Sequence, residues 1–132
     1  MMISDNLEKT KQIAFEVAKS LTPGDIVFLS GDMGVGKTTF VRDIGKYFNF
    51  EDVSSPSYTL VNVYKSCPPI IHIDLYRCEN EEAVKTIDLD YYLAKTDHII
   101  IIEWAQRAPW LSKICTKEIT IQYDKGNRLF LF

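Results

Sequence analysis

A chain of 132 residues can build one hydrophobic core and has no room for a second domain. Its 46% hydrophobic and 25% charged content are ordinary for a globular protein, and no run approaches the roughly 18 apolar residues of a membrane span. The formal net charge of −3 argues against gripping nucleic acid over a broad basic face, though a local patch or a partner could still hold it.

The N-terminus, Met-Met-Ile-Ser-Asp-Asn, lacks the basic and apolar regions of a signal peptide, so the cytoplasm is the expected compartment and no membrane contact is expected. Cys67, Cys78 and Cys115 are odd in number and show no C-x-x-C spacing, which points to neither zinc nor a disulfide framework.

Asp5 with Glu8 three residues on reads as a capping box opening a helix, and Leu7, Thr10, Ala14, Val17, Ala18 and Leu21 follow at helical spacing. Thr22-Pro23-Gly24-Asp25 turns the chain into an apolar run at 26–29 that predicts a buried strand. The next stretch, Gly31-Asp32-Met33-Gly34-Val35-Gly36-Lys37-Thr38-Thr39, fits the phosphate-loop pattern G-x-x-x-x-G-K-[ST]. Glycines let such a backbone fold tightly enough for its N–H groups to face a phosphate chain, and the helix behind it adds free N–H groups and a positive dipole end. Lys37 is expected to reach the β- and γ-phosphates, the Thr38 hydroxyl to ligate Mg²⁺, and Thr39 to touch the α-phosphate. Phe40, Val41, Ile44 and Phe48 then recur at helical spacing. Strand, glycine loop and helix together are the context that the motif demands, and they predict a nucleoside triphosphate site.

Ser54-Ser55-Pro56-Ser57 reads as a loop, 58–64 as a strand and Cys67-Pro68-Pro69 as a turn. Residues 70–76 form another predicted strand, with Asp74 at its C-terminal end. Helix is expected over 79–86 and again around 91–93. The strand at 98–104, the most apolar, ends in Glu103. A loop with a short helix interrupted by Pro109 should follow over 105–115. Segments 118–123 and 128–132, joined by Asp124-Lys125-Gly126-Asn127, read as an antiparallel hairpin. The pattern predicts one α/β domain over 1–132, a phosphate-loop three-layer α/β/α sandwich with a mixed, mostly parallel sheet and a C-terminal antiparallel hairpin.

A triphosphate site also needs carboxylates at the ends of apolar strands beside the loop, and Asp74 and Glu103 occupy that position. One could hold Mg²⁺ or its water while the other orients the attacking water. His72 shares a strand face with Asp74 and is expected to pack or hydrogen-bond. His98 is expected to cap its strand, and Trp104, Trp110 and the tyrosines to serve core or interface.

In order, the phosphate loop, Ser55-Pro56-Ser57-Tyr58-Thr59-Leu60-Val61, His72-Ile73-Asp74-Leu75-Tyr76-Arg77 and Ile102-Glu103-Trp104 resemble the bacterial TsaE (YjeE) family, and the similarity runs from about Ser4 to the C-terminus. The resemblance implies an Mg²⁺-dependent ATPase, a subunit required for threonylcarbamoyladenosine (t6A) modification of tRNA. It implies the partners TsaD and TsaB, tRNA met only through them, and ATP hydrolysis that resets the assembly between turnovers. It also implies that Lys37, Asp74 and Glu103 are catalytic, with Asp74 near the γ-phosphate and Thr38 and Glu103 on the metal. Gly34, Val35, Gly36, Lys37, Thr38 and Thr39 would bind the nucleotide, Thr10 would lie near the adenine, and segment 55–58 would act as a nucleotide-sensing switch. Two positions depart from the family pattern: Ser57 replaces a threonine and keeps its hydroxyl, and Gln106 replaces a glutamate.

Three rival functions fit parts of the pattern. A small-molecule kinase needs a lid with several arginines, and this chain has only Arg42, Arg77, Arg107 and Arg128. A GTPase would need asparagine where Ala94 precedes Lys95-Thr96-Asp97. A nucleotide-gated binding module with incidental hydrolysis needs the same site as an ATPase.

Overall fold

The computed structural model describes residues 1–132. In chain order the elements are β1 (Met2–Ser4), α1 (Leu7–Lys19), β2 (Ile26–Ser30), α2 (Lys37–Tyr47), β3 (Val61–Tyr64), β4 (Ile70–Asp74), α3 (Glu81–Lys85), α4 (Leu89–Leu93), β5 (Ile99–Glu103), β6 (Lys117–Asp124) and β7 (Asn127–Leu131). Two short 3₁₀ helices, Ala105–Arg107 and Pro109–Lys113, lie between β5 and β6.

All seven strands form one sheet in the order β1-β7-β6-β2-β5-β4-β3. β4, β5, β2 and β6 pair in parallel at its centre, and the three outer pairings are antiparallel. The sheet is therefore mixed, with only β3 and β7 running against the rest. The side-chain alternation of its strands explains the three layers. Val27, Leu29, Ile99, Ile101, Ile119 and Ile121 face α1 and α2, where Ile13, Val17, Phe40 and Ile44 meet them. Ile71, Ile73, Ile100 and Ile102 face the other way, against Val84 of α3, Leu89 of α4 and Leu111 of the second 3₁₀ helix. β5 is apolar on both faces up to Glu103, β4 carries His72 and Asp74 on one face, and both strands are buried along their whole length.

Several expected boundaries move, each for a physical reason. The cap of α1 is Asn6, not Asp5: the Asn6 side chain accepts the Lys9 N–H at 2.7 Å. Asn6→Ala should accordingly lower stability by about 1 kcal/mol in urea unfolding, and Asp5→Ala by less. The N-terminal strand β1 had no counterpart in the sequence pattern, because three residues carry no period; it is fixed by its pairing with β7. The strand expected over 58–64 begins only at Val61. Leu60 has φ 68° and its N–H bonds the Pro56 carbonyl, so the residues before it turn. The strand expected over 70–76 ends at Asp74. The helix expected over 79–86 shrinks to α3, where the Asn80 side chain caps Ala83. The C-terminal hairpin pairs Thr120 with Leu131 through Asp124 with Asn127, and Lys125 and Gly126 both take positive φ in its two-residue turn. The three cysteines are free. No helix is long and apolar enough to cross a membrane.

This topology positions the site. β2, β5 and β4 lie side by side in parallel, so the loop leaving β2 emerges next to the ends of β5 and β4. The register sets Glu103 beside Leu29 on one side and Asp74 on the other.

Candidate functional site

Residues 31–36 connect β2 to α2 in a tight turn. A Cβ on Gly31 would meet the Ile121 carbonyl oxygen at 2.7 Å, and Gly36 enters the helix at φ 112°, so glycine is required at both. Gly36 caps α2 without a side chain. The N–H groups of Gly34, Gly36, Lys37, Thr38 and Thr39 make no hydrogen bond to a backbone carbonyl. The helix thus presents unpaired donors and its positive dipole end to the space in front of it.

That space is a cleft of about 320 Å³. The loop and first turn of α2 form one wall, through Gly34, Gly36, Lys37, Thr38 and Thr39. Opposite stand Ser55 and Ser57, and Asp74, Glu103 and Trp104 close the floor from the strand ends. Of the residues singled out from the sequence, the structure brings Gly34, Gly36, Lys37, Thr38, Thr39, Asp74 and Glu103 around this one cleft. Two expected residues lie elsewhere. Val35 is buried and does not line the cleft: its N–H donates to the Asp32 carbonyl at 3.2 Å, and its carbonyl accepts the Arg128 Nε–H at 2.8 Å. Thr10 lies behind the loop in a small cavity with Leu7, Gly36, Thr39 and Arg128, its hydroxyl bonded to Ser4 and to the Asn6 carbonyl. Gln106 is exposed and outside the cleft.

Lys37 is 7% exposed. Its ammonium donates to the Gly31 carbonyl at 2.6 Å, lies 3.8 Å from Glu103 Oε1 and sits 5.1 Å from the centre of the Trp104 ring. Trp104 reaches this position from the left-handed region, at φ 58°, which is costly for a bulky residue. Tyr76 packs beside it at 4.9 Å between ring centres.

Glu103, 3% exposed, is gripped from behind. His72 Nε2 lies 2.6 Å from Glu103 Oε2, and His72 Nδ1 lies 3.0 Å from the Tyr64 hydroxyl. That hydroxyl donates to the Ser54 carbonyl at 2.6 Å. Burial pushes the Tyr64 phenol above its ordinary range, which keeps its proton for this bond.

Asp74 is tied differently. Its Oδ1 accepts the Tyr76 N–H at 2.9 Å, its Oδ2 accepts the Ser57 hydroxyl at 3.2 Å, and its own N–H donates to the Leu60 carbonyl. Burial pushes its carboxyl above the ordinary aspartate range. The Tyr76 N–H opposes the rise, and the nearby Glu103 charge adds to it.

An anion cradle, a buried lysine and two strand-end acids form a constellation that many chains could share, so the whole sequence must say which family it is. Residues 4–129 match the model of the family described as threonylcarbamoyl adenosine biosynthesis protein TsaE. The chain belongs to the TsaE family. It is 41% identical to the tRNA threonylcarbamoyladenosine biosynthesis protein TsaE of Rickettsia felis, over 98% of this chain and 77% of that one. With the Aquifex aeolicus protein of the same name it shares 36% identity, over 98% and 94% respectively. The crystal structure of YdiB from Bacillus subtilis superposes with a TM-score of 0.72 at 26% identity, covering 98% of this chain and 80% of that one.

Within this TsaE-family fold, the sequence pattern had left Trp104, Tyr64 and Arg128 without a place in the site. Trp104 carried one usable signal, its position directly after an acid at a strand end. Arg128, which locks β7 onto the glycine loop, carried none.

Proposed function

We propose that this chain binds MgATP in the 320 Å³ cleft and hydrolyses it, as the ATP-driven subunit of tRNA threonylcarbamoyladenosine synthesis, working with TsaD and TsaB in the cytoplasm. The convergence of unpaired loop N–H groups, the Lys37 ammonium and two buried carboxylates on one cleft carries this reading. The loop N–H groups and Lys37 bind the polyphosphate as charge-assisted donors. Asp74 accepts a hydrogen bond from the attacking water and orients it, with Ser57 and the Tyr76 N–H fixing its two oxygens.

The donor set fits Mg²⁺. Thr38, Glu103 and Asp74 offer hard oxygens on the cleft. No trio of His, Cys, Asp and Glu side chains clusters as a complete metal cage, and Mg²⁺ held with a nucleotide needs only one or two protein ligands. Thr38 and Glu103 Oε1 would hold it, since Glu103 Oε2 is bonded to His72. When bound, the ion neutralises charge on the β- and γ-phosphates.

No arginine lines the cleft, which counts against a kinase that shields a transferring phosphoryl group with arginines. The Ser57–Asp74 contact favours a nucleotide-gated element within the ATPase: segment 55–58 reads the cleft and can pass its state to a partner.

Asp74→Asn tests the assignment. ATP binding measured by calorimetry should persist while hydrolysis is lost. The raised carboxyl adds a second expectation. Its folded pKa exceeds the unfolded value of about 3.9, so its contribution to stability is present below that value and lost as pH rises through the folded one. At neutral pH the ionised group costs stability, and Asp74→Asn should melt above the wild type. Hydrolysis, which uses the ionised form, should fall on acidification with an inflection above the ordinary aspartate range. A variant that loses binding instead would move Asp74 to metal coordination.

A further inference from the structure

We propose that Tyr64 and His72 form a positioning relay that couples segment 54–57 to the Glu103 carboxylate; this rests on the hydrolytic reading above. Ser54 O, Tyr64 Oη, His72 and Glu103 Oε2 form an unbroken chain with links of 2.6, 3.0 and 2.6 Å. Its three side chains are 3%, 0% and 3% exposed, so water has little access to the two inner bonds, while the Ser54 end is part-buried.

The chemistry fixes what happens at the two ends of the chain. A carbonyl only accepts, so the Tyr64 hydroxyl donates to Ser54, and the direction of the Tyr64–His72 link follows the ring tautomer. His72 Nε2 meets a carboxylate at a distance that requires a proton between them. The ring therefore holds one Glu103 oxygen and leaves Oε1 as the one directed toward Lys37.

Packing alone would satisfy a buried histidine without joining two walls of one cleft, and this chain joins them. Ser55 and Ser57, adjoining the Ser54 carbonyl, line the cleft, as does Glu103. The same segment also reaches the second acid through the Ser57 hydroxyl on Asp74, and the Leu60 carbonyl, three residues beyond it, accepts the Asp74 N–H. A shift of segment 54–57 thus acts on both carboxylates, and through Tyr64 and His72 it changes where Glu103 points. His72 and Tyr64 act through Glu103 and touch no substrate.

Substitutions that cut single links test the relay in the full chain. Tyr64→Phe keeps the ring stacked on Phe50 and removes only the hydroxyl. His72→Gln keeps an amide donor where Nε2 meets Glu103, while His72→Asn keeps one only where Nδ1 meets Tyr64. Tyr64→Phe and His72→Gln should each lower kcat for ATP hydrolysis about tenfold, with KM and the Kd for a non-hydrolysable ATP analogue within about twofold of wild type. His72→Asn should lose about a hundredfold in kcat. The double variant Tyr64→Phe/His72→Gln should fall no further than its worse parent, because both cut one chain. Wild-type kcat in both single variants, or losses that multiply in the double, would overturn the relay.

Amide hydrogen exchange gives a readout independent of turnover. Tyr64→Phe and His72→Asn should each speed exchange across segment 53–58 severalfold, and unchanged exchange in both would overturn the coupling. A wild-type chain without ATP turnover would defeat the hydrolytic reading instead, and the exchange measurement would still decide the relay.

Discussion

Lys37→Ala is expected to weaken ATP binding by about two to four powers of ten in calorimetry. Each charge-assisted bond from an ammonium to a phosphate oxygen contributes about 1.5–3 kcal/mol, and Lys37 is positioned to make two. One of its three donors is taken by the Gly31 carbonyl at 2.6 Å, which aims the ammonium along the loop into the cleft. The Trp104 ring and Glu103 Oε1 hold it from the strand side. Lys37→Arg should not rescue binding, because a planar guanidinium cannot occupy the position of a compact ammonium between a carbonyl and a ring face. Unchanged affinity in Lys37→Ala would remove the phosphate site from this loop.

Glu103→Gln is expected to lower ATP turnover at least about a hundredfold while leaving most of the binding affinity, since the loop and Lys37 remain. Glutamine fills the same volume and can still hydrogen-bond His72, but it carries no charge toward Lys37 or the proposed Mg²⁺ site. Glu103→Ala is a harsher change. It strips the partner from His72 at 2.6 Å and from Lys37 at 3.8 Å, both buried, and should cost about 3–5 kcal/mol of stability. Comparing the two variants by thermal melting and by single-turnover hydrolysis separates lost chemistry from lost fold. Full turnover in Glu103→Gln would refute a catalytic role for this acid.

Features of the site that depend on short-range pattern were legible in the sequence. The glycine loop declares itself through fixed spacing between an apolar run and a helical stripe. Asp74 and Glu103 declare themselves as the acids ending two apolar strands, and the register of β4 and β5 sets them side by side. Long-range placement was not legible. The link from Tyr64 to His72 to Glu103 joins β3, β4 and β5 and exists only once the strand order is known. Arg128 meets the Val35 carbonyl from 93 residues away. Thr10 faces Ser4 because β1 folds back beside α1, and a three-residue strand leaves no period to read. Trp104 looked like core because tryptophan usually is, and its left-handed backbone, which turns the ring over Lys37, is invisible to hydropathy.

The fold was legible for the same reason. The continuous apolar run of β5 and the isoleucines of β4 need burial on both faces, which puts helices on both sides of the sheet. Its edges were less so. Tyr58, read as strand from its aromatic and β-branched neighbours, is 85% exposed in the turn before Leu60.

Multiple-turnover ATP hydrolysis by the wild type and Glu103→Gln, each alone and with TsaB and TsaD, tests the proposed function most directly. Slow hydrolysis by the wild type alone, a clear rise when both partners are present, and neither in the variant are the expected results. Hydrolysis that ignores the partners and survives Glu103→Gln, or phosphoryl transfer to a small hydroxylated acceptor, would contradict the proposed function.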